Sequence, residues 1–246
     1  MDAFRSATVS RFEAAMMERC KVLAPRRCGA LRGDLLRVAV QAAIARAARH
    51  GFTFTGPVRL FVELSMLLGS GFDHDRQYAF ARECLVGDST QMQRAEALHA
   101  RAIATLRSIQ GAGERHADTD LEQLRELVTT VPTPGREGLE ATALAMMARM
   151  QPHKYAHVAE PALRSLIAVA EAEAAWHGVS APQDVLLIVA LMYAFGQGCL
   201  EDPLYPWIAD GLDRERGAGP ARQAERLREQ TLAWLAHVLG DREQDA

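Results

Sequence analysis

The residues best suited to chemistry are Asp73, His74 and Asp75, two carboxylates and an imidazole in a loop that follows Gly69 and Gly71. Such groups can ligate a divalent metal or serve as general acid and base. A metal-dependent hydrolase or toxin acting through these three residues is therefore one reading. Against it, consecutive side chains on a loop rarely reach one ion, and no second ligand set stands at a diagnostic spacing. His153 and His157 are four apart, but HKYAH lacks the glutamate of HExxH and follows Pro152 in what reads as a loop. Cys20, Cys28, Cys84 and Cys199 have neither zinc nor disulfide spacing and read as free thiols. No serine sits in a GxSxG elbow, and Gly69-Ser70-Gly71 is too short for a phosphate cradle. The expectation is a protein without catalytic residues, metal or cofactor, which binds a partner and transforms nothing.

The elements around that loop occur twice. Adding 127 to each number carries His50, Gly51, Val58, Leu60, Val62 and Leu64 onto His177, Gly178, Val185, Leu187, Val189 and Leu191. The same shift carries Gly69, Gly71, Asp75, Tyr78 and Leu85 onto Gly196, Gly198, Asp202, Tyr205 and Leu212, and sets Trp207 opposite Phe80. Helical spacing over 7–22 and from Asp34 to His50 predicts two helices, with Gly51 as the stop and His50 as a cation over the last carbonyls. Ala24 to Gly33 reads as a connection. Pro57 to Leu68 and Val185 to Phe195 are so apolar that each predicts a buried central helix, the second opened by a Ser180–Gln183 capping box. Asp75 and Asp202 read as N-caps of a short helix carrying the aromatics, with Pro203 at its first position. A long helix closes each half, AEALHARAIATL matching AERLREQTLAWL at a shift of 129, the two extra residues falling around Gly217 to Pro220. The expected architecture is all-α: two tandem copies of a roughly five-helix unit packed with pseudo-twofold symmetry, residues 1–110 and 135–246, joined by a linker at 111–134 with a short charged helix.

Composition narrows the partners. About half of the 246 residues are hydrophobic and a quarter charged, as in ordinary globular proteins, and the net charge of −3 lacks the basic excess that binding to nucleic acid uses. The N-terminus has no signal-peptide core, and no apolar run is long enough for a bilayer, so a cytoplasmic protein with no membrane or nucleic-acid partner is expected. Only Lys21 and Lys154 are lysines, an arginine bias that fits a GC-rich bacterial genome.

The segment GPVRLFVELSMLLGSGFDHDRQYAF, residues 56–80, resembles a stretch of uncharacterised bacterial proteins encoded near type VI secretion spike and toxin genes, in which an apolar run ends in G-S-x-F-D-x-D-P-Q-Y. Arg76 stands where that pattern has proline. The resemblance implies a cytoplasmic partner of a secreted toxin: an immunity protein that neutralises it, or an adaptor that loads it. On that reading the contacts belong to the two loop–helix junctions, through Asp73, His74, Asp75, Arg76 and Tyr78 in one copy and Glu201, Asp202, Tyr205 and Trp207 in the other. A homodimer is a further possible assembly.

Overall fold

The computed structural model describes residues 2–31, 33–110, 117–134, 138–213 and 219–240. Among these the chain is all-helical, without a strand. The α-helices are α1 (Asp2–Leu23), α2 (Pro25–Gly29), α3 (Gly33–Arg49), α4 (Thr55–Leu68), α5 (Ala79–Leu85), α6 (Gln91–Gln110), α7 (Ala117–Thr129), α8 (Gly138–Met150), α9 (Pro152–His157), α10 (Glu160–Trp176), α11 (Pro182–Phe195), α12 (Pro206–Leu212) and α13 (Pro220–Gly240). Short 3-10 turns at Arg76–Tyr78 and Cys199–Glu201 come after the glycine exits.

Apolar patterning explains the layout. Every residue of α11 from Val185 to Tyr193 is buried, so this helix is the axis of the larger core, with α8 and α10 packed along it. At roughly 1.5–3 kcal/mol for each large aliphatic side chain fully buried, α11 contributes heavily to folding. Its counterpart α4 keeps one wet edge, where Arg19 and Arg59 both donate to Glu63, and packs its other faces on α1, α3 and α6. The main core draws on both parts of the chain, from Met16, Leu36 and Val62 to Leu186, Ile208 and Leu235. A second cluster gathers Phe52, Phe61, Phe72, Phe80 and Leu98 in the first part alone.

The bounds of α3, α4 and α5 reappear at a shift of 127 as those of α10, α11 and α12, and α6 begins 129 residues before α13. Several local expectations are corrected. The stretches read as a connection and a loop contain α2 and α9, each opened by a proline that has no amide to leave unpaired. The Ser180–Gln183 capping box does not form, because α11 starts at Pro182 and the Gln183 side chain donates through Nε2 to Thr133 Oγ1 at 2.6 Å. The aromatic helices start at Ala79 and Pro206, later than Asp75 and Asp202 would set them, so each aspartate caps a turn instead. The helix within the expected linker is packed, burying Leu124 and Val128 against the core. The glycine-rich turn at 111–116 and the loop at 214–218 lie outside the described residues.

Candidate functional site

The glycine exits of α4 and α11 meet face to face. Gly69 and Gly196 have φ of 99° and 102° with ψ of 151° and 152°, a region essentially confined to glycine. A Cβ on Gly69 would lie 2.5 Å from the Phe195 carbonyl oxygen, and one on Gly196 would lie 3.1 Å from that of Leu68. Each side of this contact is sealed by an aspartate from the other. Asp75 Oδ2 accepts from the Gln197 amide at 2.7 Å, while its Oδ1 accepts from the Gln77 amide at 2.9 Å. Asp202 Oδ2 accepts from the Ser70 amide at 2.9 Å, and its Oδ1 from the Ser70 hydroxyl at 2.6 Å and the Leu204 amide at 2.9 Å. Both carboxylates are almost fully buried. Burial pushes both carboxyls up, against the pull of these donors and of Lys154 on Asp75 and Arg27 on Asp202.

Two cations complete the seam. Arg27 on α2 donates to the Met66 carbonyl and covers the Tyr205 ring, 5.6 Å from its centroid. Lys154 on α9 donates to the Tyr193 carbonyl and lies 5.5 Å from the Tyr78 centroid and 4.7 Å from that of Tyr193. Cation, carbonyl acceptor and covered ring all stand 127 residues apart: 27 and 154, 66 and 193, 78 and 205. The two carbonyls lie in the last turns of α4 and α11, where helix dipoles favour positive charge. Burial depresses the Lys154 ammonium to about 8, opposed by Asp75 and Asp120. The sequence carries a signal for this pair, since Pro25 and Pro152 also stand 127 apart, but the spacing of HKYAH draws the eye to its histidines and away from its lysine.

The Asp73–His74–Asp75 constellation does not converge. Asp75 points into the seam, whereas Asp73 turns outward to α3, taking an ion pair from Arg46 and a 2.7 Å contact from His50 Nε2. His50 thus serves Asp73 instead of its own helix end. Burial alone would raise the Asp73 carboxyl, but hydrogen bonds from His74 and His50 and the charge of Arg46 outweigh it and hold it well below the usual range. His74 is exposed, with Nδ1 2.6 Å from Arg46 Nη2. Among the described residues no group of three His, Cys, Asp or Glu side chains is placed to hold a metal, and the four cysteines are buried and free.

Of the nine residues expected to meet a partner, Asp75, Tyr78, Asp202 and Tyr205 are therefore internal. His74, Arg76 and Glu201 are exposed, Asp73 is half-buried, and Trp207 is half-buried in a stack on Trp234 at 5.7 Å. What the sequence did not single out is an apolar surface in the first part of the chain. Phe54 is exposed, Met92 is exposed on the lining of a groove of about 370 Å³ that pairs Pro57, Leu60 and Ala95 with the charged Arg59, Glu63 and Glu96, and Gln91 Oε1 accepts from the Thr53 and Phe54 amides. Val86, on the loop between α5 and α6, is exposed as well. No helix among the described residues is long and apolar enough to cross a membrane. The chain matches no model of a known protein family, no curated protein and no solved structure.

Proposed function

We propose that the protein is a non-enzymatic, protein-binding protein built from two copies of one helical unit about a pseudo-twofold axis through the Gly69–Gly196 contact, and that it acts as an immunity protein for a secreted bacterial toxin. The observation that carries the reading is how the charged residues are used. The buried aspartates and cations of the seam hold one half to the other, and Asp73 is spent on Arg46 and His50. Exposed apolar residues, by contrast, lie where the halves differ: Phe54, Val86 and Met92 stand opposite Ala181, Asp213 and Ala221, and Trp176 stands opposite Arg49. A framework that serves both halves needs matched residues, while a surface built for one partner is needed once. Exposed aromatic and methionine side chains are the usual anchors of such a surface. The toxin assignment rests on the resemblance of residues 56–80.

The test is co-expression of the tagged protein with the genes beside it, followed by purification and growth rescue. A stoichiometric complex that restores growth of toxin-expressing cells is expected, and Phe54→Asp with Met92→Asp abolishes both while leaving the fold intact. A complex that forms without rescue makes the protein an adaptor. Retention of binding by the folded double variant overturns the assignment of the surface, and absence of any complex overturns the function.

A further inference from the structure

Two adjoining cavities lie under α7. The outer one, about 360 Å³, is walled by Leu23, Leu67, Phe195 and Trp234, with the Arg26–Asp118 ion pair, 2.6 Å long, on its lining. The inner one, about 120 Å³, reaches Tyr78, Asp120, Gln151 and Lys154. Arg27, Leu67, Gln110, Leu121 and Phe195 line both. The outer space has the size of ordinary small-ligand sites, which combine apolar walls with a few polar groups.

The polar groups of the inner cavity are incompletely used. Gln151 Oε1 is buried without a hydrogen-bond partner. Asp120 accepts no hydrogen bond from any described residue, although it senses the charges of Lys154 and His153. Lys154, only 3% exposed, spends one hydrogen bond on the Tyr193 carbonyl, leaving the rest of an ammonium that can donate three. The buried Gln151 Oε1 and Lys154 call for an occupant, since each unmet buried acceptor or donor costs free energy, and the half-buried Asp120 stands beside them. Water would satisfy the inner end but not the apolar walls at Leu67, Phe195 and Trp234.

We propose that this paired cavity binds a small zwitterion with an apolar side chain, of the class of a free apolar amino acid. Its ammonium donates to Asp120 and Gln151 Oε1, its carboxylate accepts from Lys154 and Arg27, and its side chain fills the space between Leu67, Phe195 and Trp234. A zwitterion answers both signs at once; a ligand with one charge leaves either the half-buried Asp120 or the buried Lys154 without a new partner. Asp120, drawn up to about 6 by burial despite Lys154 and His153, is in the state that a ligand ammonium would relieve. The chain holds two lysines, and one of them stands here, where the matching position of the other half has Arg27 doing the same carbonyl-capping work.

Calorimetric titration of the full chain with L-leucine and L-phenylalanine tests the proposal, with isoamylamine and 4-methylpentanoate as probes that each lack one charge. At least one amino acid binds one to one with a Kd of about 1 mM or below. Each singly charged probe, and Asp120→Asn, binds about tenfold or more weakly, the loss expected for one charge-assisted hydrogen bond. Lys154→Arg keeps the Tyr193 capping bond, as Arg27 shows is possible, and loses binding by filling the inner cavity while the melting temperature holds. No saturable heat with either amino acid up to about 10 mM overturns the proposal, as does equal binding of a singly charged probe or wild-type affinity in folded Asp120→Asn.

Discussion

Gly69→Ala isolates the tightest point of the fold. The substitution forces a side chain into a backbone region that costs about 1–3 kcal/mol for any residue but glycine. It also sets a Cβ 2.5 Å from the Phe195 carbonyl oxygen. That oxygen belongs to the end of α11, a helix buried on nearly all sides, so it has little freedom to retreat. Overpacking of this kind adds about 1–3 kcal/mol. The total of about 2–6 kcal/mol is a large part of the roughly 5–15 kcal/mol that holds a typical domain together. Gly196→Ala has the same backbone cost with a milder 3.1 Å contact, and Gly51→Ala, at φ 73°, meets only the flexible end of Arg94 at 3.4 Å. The expected order of destabilisation in urea, at unchanged m-value, is therefore Gly69→Ala, then Gly196→Ala, then Gly51→Ala at about 1–2 kcal/mol. If Gly69→Ala costs no more than Gly51→Ala, the close approach of the two exits does not exist in solution, and the seam built on it falls as well.

The charges set three further outcomes. Asp73 has a folded pKa below its unfolded value, so its stabilisation is present above about pH 4 and disappears as pH falls further; Asp73→Asn removes that acid-side slope and costs about 1–2 kcal/mol at pH 7, after allowance for solvent screening. Asp120 is shifted the other way, so the folded state holds its proton more tightly than the unfolded chain and stability declines as pH rises from about 4 to about 6; Asp120→Asn flattens that decline and raises the melting temperature at pH 7. Lys154 is depressed, and between pH 8 and about 10.5 the unfolded chain carries a proton that the folded one lacks, so stability rises with pH across that window in wild type and not in Lys154→Met.

The helical layout was legible because its signals are local. A wide apolar face, a proline at the start and a glycine at the stop define α4 and α11 from composition alone, and the shift of 127 doubles each signal. The site was less legible because its decisive contacts join residues more than 100 positions apart. Asp75 has the look of a cap for the turn at Arg76–Tyr78, and it does accept from Gln77; nothing in the local sequence says that its second oxygen reaches Gln197. Spacing alone likewise brought Asp73, His74 and Asp75 together, whereas the turn that ends Gly71–Asp75 sends nearby side chains to opposite sides of the backbone, Asp73 to α3 and Asp75 to the seam. Helices as short as α2 and α9 fall below the length at which periodicity can be read, and their worth lies in aiming Arg27 and Lys154 rather than in burying a face.

Which residues match between the halves, and which do not, depends on where each lies. Gly69 with Gly196, Gly71 with Gly198, Asp75 with Asp202 and Tyr78 with Tyr205 are matched, and every one of them is at the seam, where each half must present the other with the surface it receives. On the proposed two-copy reading, a self-complementary contact ties both copies of a residue to the same geometry, because a change in one meets its unaltered counterpart across the axis. Away from the seam the helix-end pairs His50 with His177 and Gly51 with Gly178 still match, but other positions near the surface do not. His74 faces Glu201, Arg76 faces Pro203, and Phe54 faces Ala181, all on or near the surface. Lys154 opposite Arg27 is the informative intermediate: the capping task is shared, so both remain cations, and both line the inner cavity that Asp120 and Gln151 also wall. Under the two-copy reading, a departure from the match inside the seam is where one half has been released from pure support, and Lys154 is the position at which that release coincides with space for a ligand.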